Sequence, residues 1–599
     1  MRHARFVRGS VFAGLLSLVV LACSGGGTKP SGTTSSGSGG MAGAGGSGGM
    51  GGAGGMGGAG GGDEPPVQVQ ILGFNDFHGH LEPPPGSSGQ ISLPDQSTVD
   101  AGGAAFFAHH LATLRAENPN TVVASAGDLI GGSPLLSGLF HDEPTIGVMN
   151  LLGLDLNAVG NHELDEGKAE ILRMQKGGCH PTDGCQGSAD FPGASFAFLA
   201  ANIIDKTTGK TLFAPYNIRT FGDVKVAFIG MTLEATPAIV MPSGIQDLSF
   251  VDEVETVNAL VPELQAQGIE AFVVLLHEGG ATTGHFDECL GISGPVVEIA
   301  TNMSDAVDVI LSGHTHEAYN CTIGGKLVTS AASNGRLVTD IDLEISRATG
   351  DVISKKARNV VVTRDVADTQ IESYVNGFAA QVAPLAEKQV GAITATLNRG
   401  QPPLGASVSS LGVVVADAML AATKDPSTGG AQVAFMNAGG LRANLPFAAA
   451  PGEAMDGVVT YKEIFSVQPF GNTLVVLSLT GAQLDAVLEQ QFYLDPGGAS
   501  LVYLLQPSSN FRYAYSTGAP IGSKVDIASI TIDGVPIVPG TTYRVVVNSY
   551  IAAGGDDFSV FTMGTNPMGG AVDVDALEAY FTANSPIAPP AVNLVQVLP

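Results

Sequence analysis

At 599 residues, with 44% apolar and 14% charged residues, the chain is long enough for two or more packed domains. Its 56 Asp and Glu against 27 Lys and Arg leave a formal charge of −29. This argues against a nucleic-acid polymer or an anionic membrane surface as partner, since both are held by Lys and Arg neutralising phosphate. An anionic ligand would need metal ions or local arginines to reverse the field at its site.

The N-terminus reads as an export signal. Arg2, Arg5 and Arg8 precede an apolar run over 11–22 that is too short to span a bilayer as an ordinary helix. The run ends in Val20-Leu21-Ala22-Cys23, which resembles a bacterial lipobox with Cys23 as the lipidated residue; the alternative is an ordinary signal peptide cleaved nearby. Residues 1–23 are therefore read as signal and lipobox, and a lipid anchor at Cys23 is the one membrane association expected. Residues 24–66 are nearly all Gly, Ser, Ala and Met. They cannot bury a core and are expected to form a flexible tether, with an end-to-end distance on the order of 35 Å. The expected location is the cell envelope, periplasmic or outer surface.

Beyond the tether, strand-like apolar runs at 67–74, 121–126, 156–159, 224–230, 271–276 and 307–311 alternate with helical stretches such as 104–116 and 145–152. This alternation predicts a layered α/β domain over 67–364. Near Asp365 the texture changes. Ile371, Tyr374, Val375, Phe378, Val382 and Leu385 recur at helical spacing, predicting a joining helix within 365–390. A second, α+β domain follows over 391–599, with helices near 412–422 and 481–491 and strands near 474–479 and 543–547. Four cysteines remain after Cys23, an even number that favours two disulfides in an exported chain. Cys179 and Cys185 flank a turn sequence, His-Pro-Thr-Asp-Gly, and are expected to pair, leaving Cys289 with Cys321.

Five of the strand-like runs end in residues able to bind metal. They lead into Asp76 and His78, Asp128, Asn161 with His162, His277, and His314 with His316. If the strands are neighbours, their tips converge on one rim, where sites of α/β sheets gather. Imidazoles and carboxylates without thiolates suit Zn²⁺, Mn²⁺ or a similar divalent ion. Asp76, His78, Asp128, Asn161, His277, His314 and His316 are too many for one ion and about right for two sharing one carboxylate. Two ions roughly 3.5–4 Å apart can clamp an attacking hydroxide and a phosphoryl oxygen.

The same residues carry a resemblance. Asp76-x-His78, Gly127-Asp128, Gly160-Asn161-His162-Glu163, His277 and Gly313-His314-x-His316 resemble the calcineurin-like metallophosphoesterases. Phe74-Asn75-Asp76-Phe77-His78-Gly79-His80-Leu81-Glu82-Pro83 narrows the resemblance to the 5′-nucleotidase family. Asn437-Ala438-Gly439-Gly440-Leu441-Arg442, Gln468-Pro469-Phe470-Gly471-Asn472 and the stretch from Asn548 to Asp556 are similar to that family's substrate domain. The match runs in order from about Val67 to Leu598.

The resemblance implies a dimetal phosphohydrolase that releases phosphate from extracellular nucleotides by attack of a metal-held hydroxide. One ion would take Asp76, His78, Asp128 and His316. The other would take Asp128, Asn161, His277 and His314, with Asp128 bridging. His162 and Asp165 would form the catalytic pair, the imidazole donating to charge that grows on the phosphoryl or leaving oxygen and the carboxylate orienting it. In the second domain Phe470 and Tyr550 would sandwich the base, Asp556 would meet the ribose hydroxyls, and Asn437, Gly440 and Arg442 would meet base or phosphate. Tyr550 stands where the family often has Phe. The Arg-x-x-Glu that usually precedes Leu411-Gly412 is absent, and Arg399 stands at a different position. Related activities on the same scaffold are 2′,3′-cyclic phosphodiesterase and nucleotide-sugar hydrolase. A thiosulfate-ester hydrolase is disfavoured by the nucleoside-type residues, and a non-catalytic nucleotide-binding lipoprotein by the His162–Asp165 pair. No feature of the sequence specifies an oligomeric state.

Overall fold

The structure, a computed structural model, describes residues 64–84, 86–185, 191–240, 244–400, 405–449, 455–494 and 500–599. The signal, Cys23 and nearly all of the tether lie outside the described residues, as does 401–404 in the stretch lacking Arg-x-x-Glu. Among the described residues no helix is long and apolar enough to cross a membrane.

The N-terminal half contains strands β1 (Val67–Phe74), β2 (Thr121–Ser125), β3 (Leu156–Ala158), β4 (Ala197–Leu199), β5 (Tyr216–Phe221) and β6 (Val224–Thr232). It continues with β7 (Ala271–His277), β8 (Val309–Ser312), β9 (Ala318–Ile323), β10 (Lys326–Ala331), β11 (Leu337–Ile345) and β12 (Val352–Val361). These form two six-stranded sheets, ordered β12-β11-β1-β2-β3-β4 and β9-β10-β8-β7-β6-β5. In each the four neighbouring strands that include the site strands are parallel, and the remaining strands are antiparallel.

Successive side chains of a strand point to opposite faces. Ile71, Val122 and Ala124 of one sheet therefore meet Phe228, Val273 and Leu311 of the other in a core between the sheets. The alternate residues face helices. Leu72 and Phe74 pack under α1 (Ala104–Arg115) and α2 (Glu143–Leu152), while Phe272 and Val274 pack under α3 (Glu253–Gln265) and α4 (Pro295–Asn302). The result is helix–sheet–sheet–helix. This changes one expectation. The strands feeding the site are not all neighbours: β1, β2 and β3 lie in one sheet, β7 and β8 in the other. Their apolar runs are buried on both faces, and the tips converge across the sandwich instead of along one sheet.

Helix α5 (Thr369–Ala386) starts where the Asp368 side chain accepts the N–H groups of Gln370 and Ile371. Its Ile371, Val375, Phe378 and Val382 stripe packs on the N-terminal core, with the Phe378 ring edge-on to Phe140 at 5.1 Å. The C-terminal half is built on β13 (Val433–Met436), β14 (Thr473–Thr480), β15 (Gln506–Pro507), β16 (Thr542–Asn548) and β17 (Thr565–Val572), in the order β15-β13-β16-β14-β17. Helices α6 (Ser410–Thr423) and α8 (Asp573–Asn584) cover one face and α7 (Gly481–Glu489) packs on the other. Both expected disulfides, Cys179–Cys185 and Cys289–Cys321, are present.

Candidate active site

The N-terminal site residues cluster at five strand ends, and in three of these segments the backbone is under strain. Asp76, His78, Asp128, His314 and His316 all have positive φ, between 47° and 71°. Such a conformation is uncommon for residues with a Cβ and persists only where the surroundings fix it. The surroundings here are hydrogen bonds between loops. The N–H groups of Asp76 and His78 donate to the carbonyls of Gly127 and Asp128, each at 3.0 Å. The Asp76 carboxylate accepts the His314 N–H at 3.0 Å, and Asp128 Oδ1 accepts the His162 N–H at 2.9 Å.

Glu163, a residue given no role from the sequence, holds two loops at once. Its carboxylate accepts N–H groups of Asp128 at 2.9 Å, Leu129 at 2.8 Å and Gly160 at 2.7 Å, and the Asn157 amide at 3.1 Å.

All seven residues singled out as metal-capable come together, in two groups. In the first, His78 Nε2 is 3.0 Å from His316 Nε2, 3.9 Å from Asp76 Oδ1 and 3.7 Å from Asp128 Oδ2. In the second, His277 Nε2 is 3.1 Å from both Asp128 Oδ2 and Asn161 Oδ1, and His314 Nδ1 is 3.0 Å from the same Asn161 oxygen. Asp128 Oδ2 thus faces both groups. Tautomers are set from behind. His78 Nδ1 donates to the Gly131 carbonyl at 2.9 Å and His277 Nδ1 to that of Ala126 at 2.8 Å, so both Nε2 atoms point inward.

Burial depresses the pKa of His78, His314 and His316, which leaves these rings neutral with lone pairs available. Burial also opposes charge on His277, but the Asp128 carboxylate overrides it and pushes the pKa up to about 10, a proton that a divalent ion at Nε2 would replace.

His162 and Asp165 sit beside this centre, Nδ1 to Oδ2 at 2.8 Å. Burial works against a charged His162, yet Asp165 and Asp128 raise its pKa. Gly131 makes the approach possible. Its φ is 83°, and a Cβ there would lie 2.7 Å from Asp165 Oδ2.

Residues of the C-terminal half reach the same place. The Phe470 ring lies nearly parallel to that of His162, 12° apart in plane and 5.8 Å between centroids, and the Arg442 guanidinium is 5.6 Å from the Phe470 centroid. Arg442 faces the charges of Asp165, Asp128 and Asp76. Arg399 Nη1 donates to the carbonyls of Leu441 and Arg442, at 3.0 and 2.8 Å, bracing the arginine loop. Asn437 and Gly440 share one tight turn, in which a Cβ on Gly440 would lie 2.9 Å from Asn437 Oδ1. Asp556 accepts from Asn437 Nδ2 at 2.8 Å, from the Tyr550 hydroxyl at 2.7 Å and from the Tyr503 hydroxyl at 3.2 Å. Tyr503 was not singled out from the sequence. It stands in the apolar stretch Leu501–Leu505.

Two family models match the chain, the calcineurin-like phosphoesterase over residues 69–318 and the 5′-nucleotidase C-terminal domain over 389–563. The chain belongs to the 5′-nucleotidase family. The two matches stand in chain order, a metallophosphoesterase domain followed by a 5′-nucleotidase C-terminal domain. Endonuclease YhcR of Bacillus subtilis is 31% identical over 530 residues, 87% of this chain and 40% of that protein. The cell wall protein Lmo0130 of Listeria monocytogenes is 31% identical over 527 residues, 83% of this chain and 64% of that protein. The chain thus spans less than two thirds of the length of these relatives. A 5′-nucleotidase precursor from Thermus thermophilus superposes with a TM-score of 0.72 at 26% identity, covering 89% of this chain and 99% of that one. The metallophosphoesterase fold implies divalent metal ions. The donor set fits them, with imidazole nitrogens and carboxylate oxygens converging from fixed tautomers and no thiolate among them.

Proposed function

We propose that the chain is an exported phosphohydrolase that releases phosphate from nucleotides at a two-metal centre. The observation that carries this reading is the shared position of Asp128 between two donor groups, with the His162–Asp165 pair alongside. One divalent ion, Zn²⁺, Mn²⁺ or similar, is assigned to Asp76, His78, Asp128 and His316, and the other to Asp128, Asn161, His277 and His314. Such ions, when bound, generate a nucleophile from water at neutral pH and offset phosphoryl charge. His162 donates through Nε2 to the phosphoryl or leaving oxygen while Asp165 holds Nδ1. Arg442 adds positive charge to a chain that is otherwise strongly acidic. Phe470 and Tyr550 offer ring faces to the base, Asp556 meets the ribose, and Asn437 and Gly440 shape the loop between them. The working division of the chain is 67–364, 365–390 and 391–599. The basic and apolar leader supports export, as do relatives named a cell wall protein and a 5′-nucleotidase precursor.

Metal analysis with phosphate release over a nucleotide panel tests this. About two divalent ions per chain are expected, with activity lost on chelation. Asp128→Ala should lose both ions, because one carboxylate serves both groups. A chelated sample that keeps full activity, or a metal-loaded protein that binds nucleotides and releases no phosphate, refutes the proposal.

A further inference from the structure

Asp556 has little hydrogen-bonding capacity left. A carboxylate offers about four acceptor positions, two on each oxygen. Oδ2 already receives Asn437 Nδ2 and the Tyr503 hydroxyl; Oδ1 receives the Tyr550 hydroxyl. None of the three donors is able to turn away cheaply. The Tyr550 oxygen accepts the backbone N–H of Asp556 itself at 3.0 Å, so its proton must point outward to Oδ1. The Tyr503 oxygen accepts the Gly439 N–H at 2.6 Å, which directs its proton to Oδ2. The Asn437 amide cannot flip, because its Oδ1 accepts from Asn548 Nδ2 at 2.9 Å. Asn548 is fixed in turn, its own Oδ1 accepting the Ile551 N–H at 3.0 Å. Three positions are thus filled by donors that are each tied down elsewhere, and one remains, on Oδ1.

Building on the nucleotide reading above, we infer that Tyr550 is a specificity-determining residue: its hydroxyl fills an acceptor position of Asp556, so that the carboxylate grips one ribose hydroxyl and not a vicinal pair. A phenylalanine at 550 would keep the ring and leave both Oδ1 positions for the sugar. The ring is held where it is by close packing, since a Cβ on Gly555 would lie 2.4 Å from Tyr550 Cε2. Asp556 is half-buried, and its φ of 52° is accompanied by the Tyr550 contacts to its carboxylate and its N–H. The substrate class that follows is nucleotides carrying one of the two sugar hydroxyls, the other being dispensable.

The test compares kcat/KM of the metal-loaded full chain on AMP, 2′-deoxy-AMP and 3′-deoxy-AMP. One deoxy substrate should match AMP within about threefold. The other should fall roughly 10- to 100-fold, the usual cost of a lost hydrogen bond to a charged group. In Tyr550→Phe both deoxy substrates should fall relative to AMP measured on the same variant. A wild type that penalises both deoxy substrates, or neither, overturns the inference and leaves the nucleotide reading standing. So does a variant whose two ratios equal those of wild type. Failure to hydrolyse AMP at all overturns the nucleotide reading and the inference together.

Discussion

Glu163 accepts four N–H groups, from Asp128 and Leu129 on one segment and from Asn157 and Gly160 ahead of Asn161 on the other, so its carboxylate fixes the spacing of loops that supply both donor groups. Glu163→Gln keeps the shape but turns an amide NH₂ toward N–H donors, leaving at least one buried donor unpaired. A stability loss of about 1–3 kcal/mol is expected, together with faster loss of metal on dialysis. Urea denaturation and metal analysis of the same sample would check this; a variant with wild-type stability and metal retention would show that the clamp does nothing. Much of the site was legible residue by residue, because metal chemistry restricts ligand types and His162 with Asp165 repeats at i, i+3. The positive φ of five ligand candidates left no trace in composition, since Asp and His at those positions look like ordinary loop residues. Tyr503 was hidden for the opposite reason: its ring packs like a core residue and only its hydroxyl bears on Asp556.

At the scale of elements, apolar runs buried on both faces announced β1, β2, β3, β6, β7 and β8 to within about two residues. The flanking strands β4, β5, β9, β10, β11 and β12 were not read, because several are short or interrupted by polar residues and their pairing is set by distant partners. That two sheets, and not one, bring the tips together was likewise invisible, since sheet membership depends on long-range register. The turn that Cys179–Cys185 closes adds a device of its own. His180 stacks on His141 with centroids 3.9 Å apart, and His141 bridges Glu166 Oε2 at 2.8 Å and Asp183 Oδ2 at 3.0 Å. Burial opposes charge on His141, but the Glu166 and Asp183 contacts push its pKa up to about 9. An unfolded histidine titrates near 6.5. A raised folded pKa gives stability that is fully present below about pH 6.5 and is lost as pH rises through about 9. The melting-temperature gap between wild type and His141→Gln should therefore be widest near pH 6 and close by about pH 9.5. A gap independent of pH would mean that the ring stabilises the turn by packing alone.

Across the whole molecule, the two halves meet through contacts that include the site, with Tyr461 and Phe465 packing on the N-terminal core. Lys462 pairs with Glu82, an exposed ion pair of the kind worth little. Phe470 lies on His162, which ties the proposed base-binding side directly to the proposed acid. Nucleoside binding energy can then position phosphorus only if the base occupies a face of Phe470 while the phosphate lies over the donor groups. A ring-free substrate such as glycerol 2-phosphate has no base to stack on Phe470. Phe470→Ala should accordingly divide the two. One stacking face is worth about 1–3 kcal/mol, so kcat/KM on AMP should fall roughly 5- to 150-fold, with glycerol 2-phosphate losing much less. Equal losses on both would mean that Phe470 serves to hold His162 in place, and that the stack orders the proposed acid instead of the base. A variant unaffected on AMP would put the base elsewhere, where the half-buried Tyr550 ring, backed by Gly555, would be its remaining aromatic contact among those assigned here.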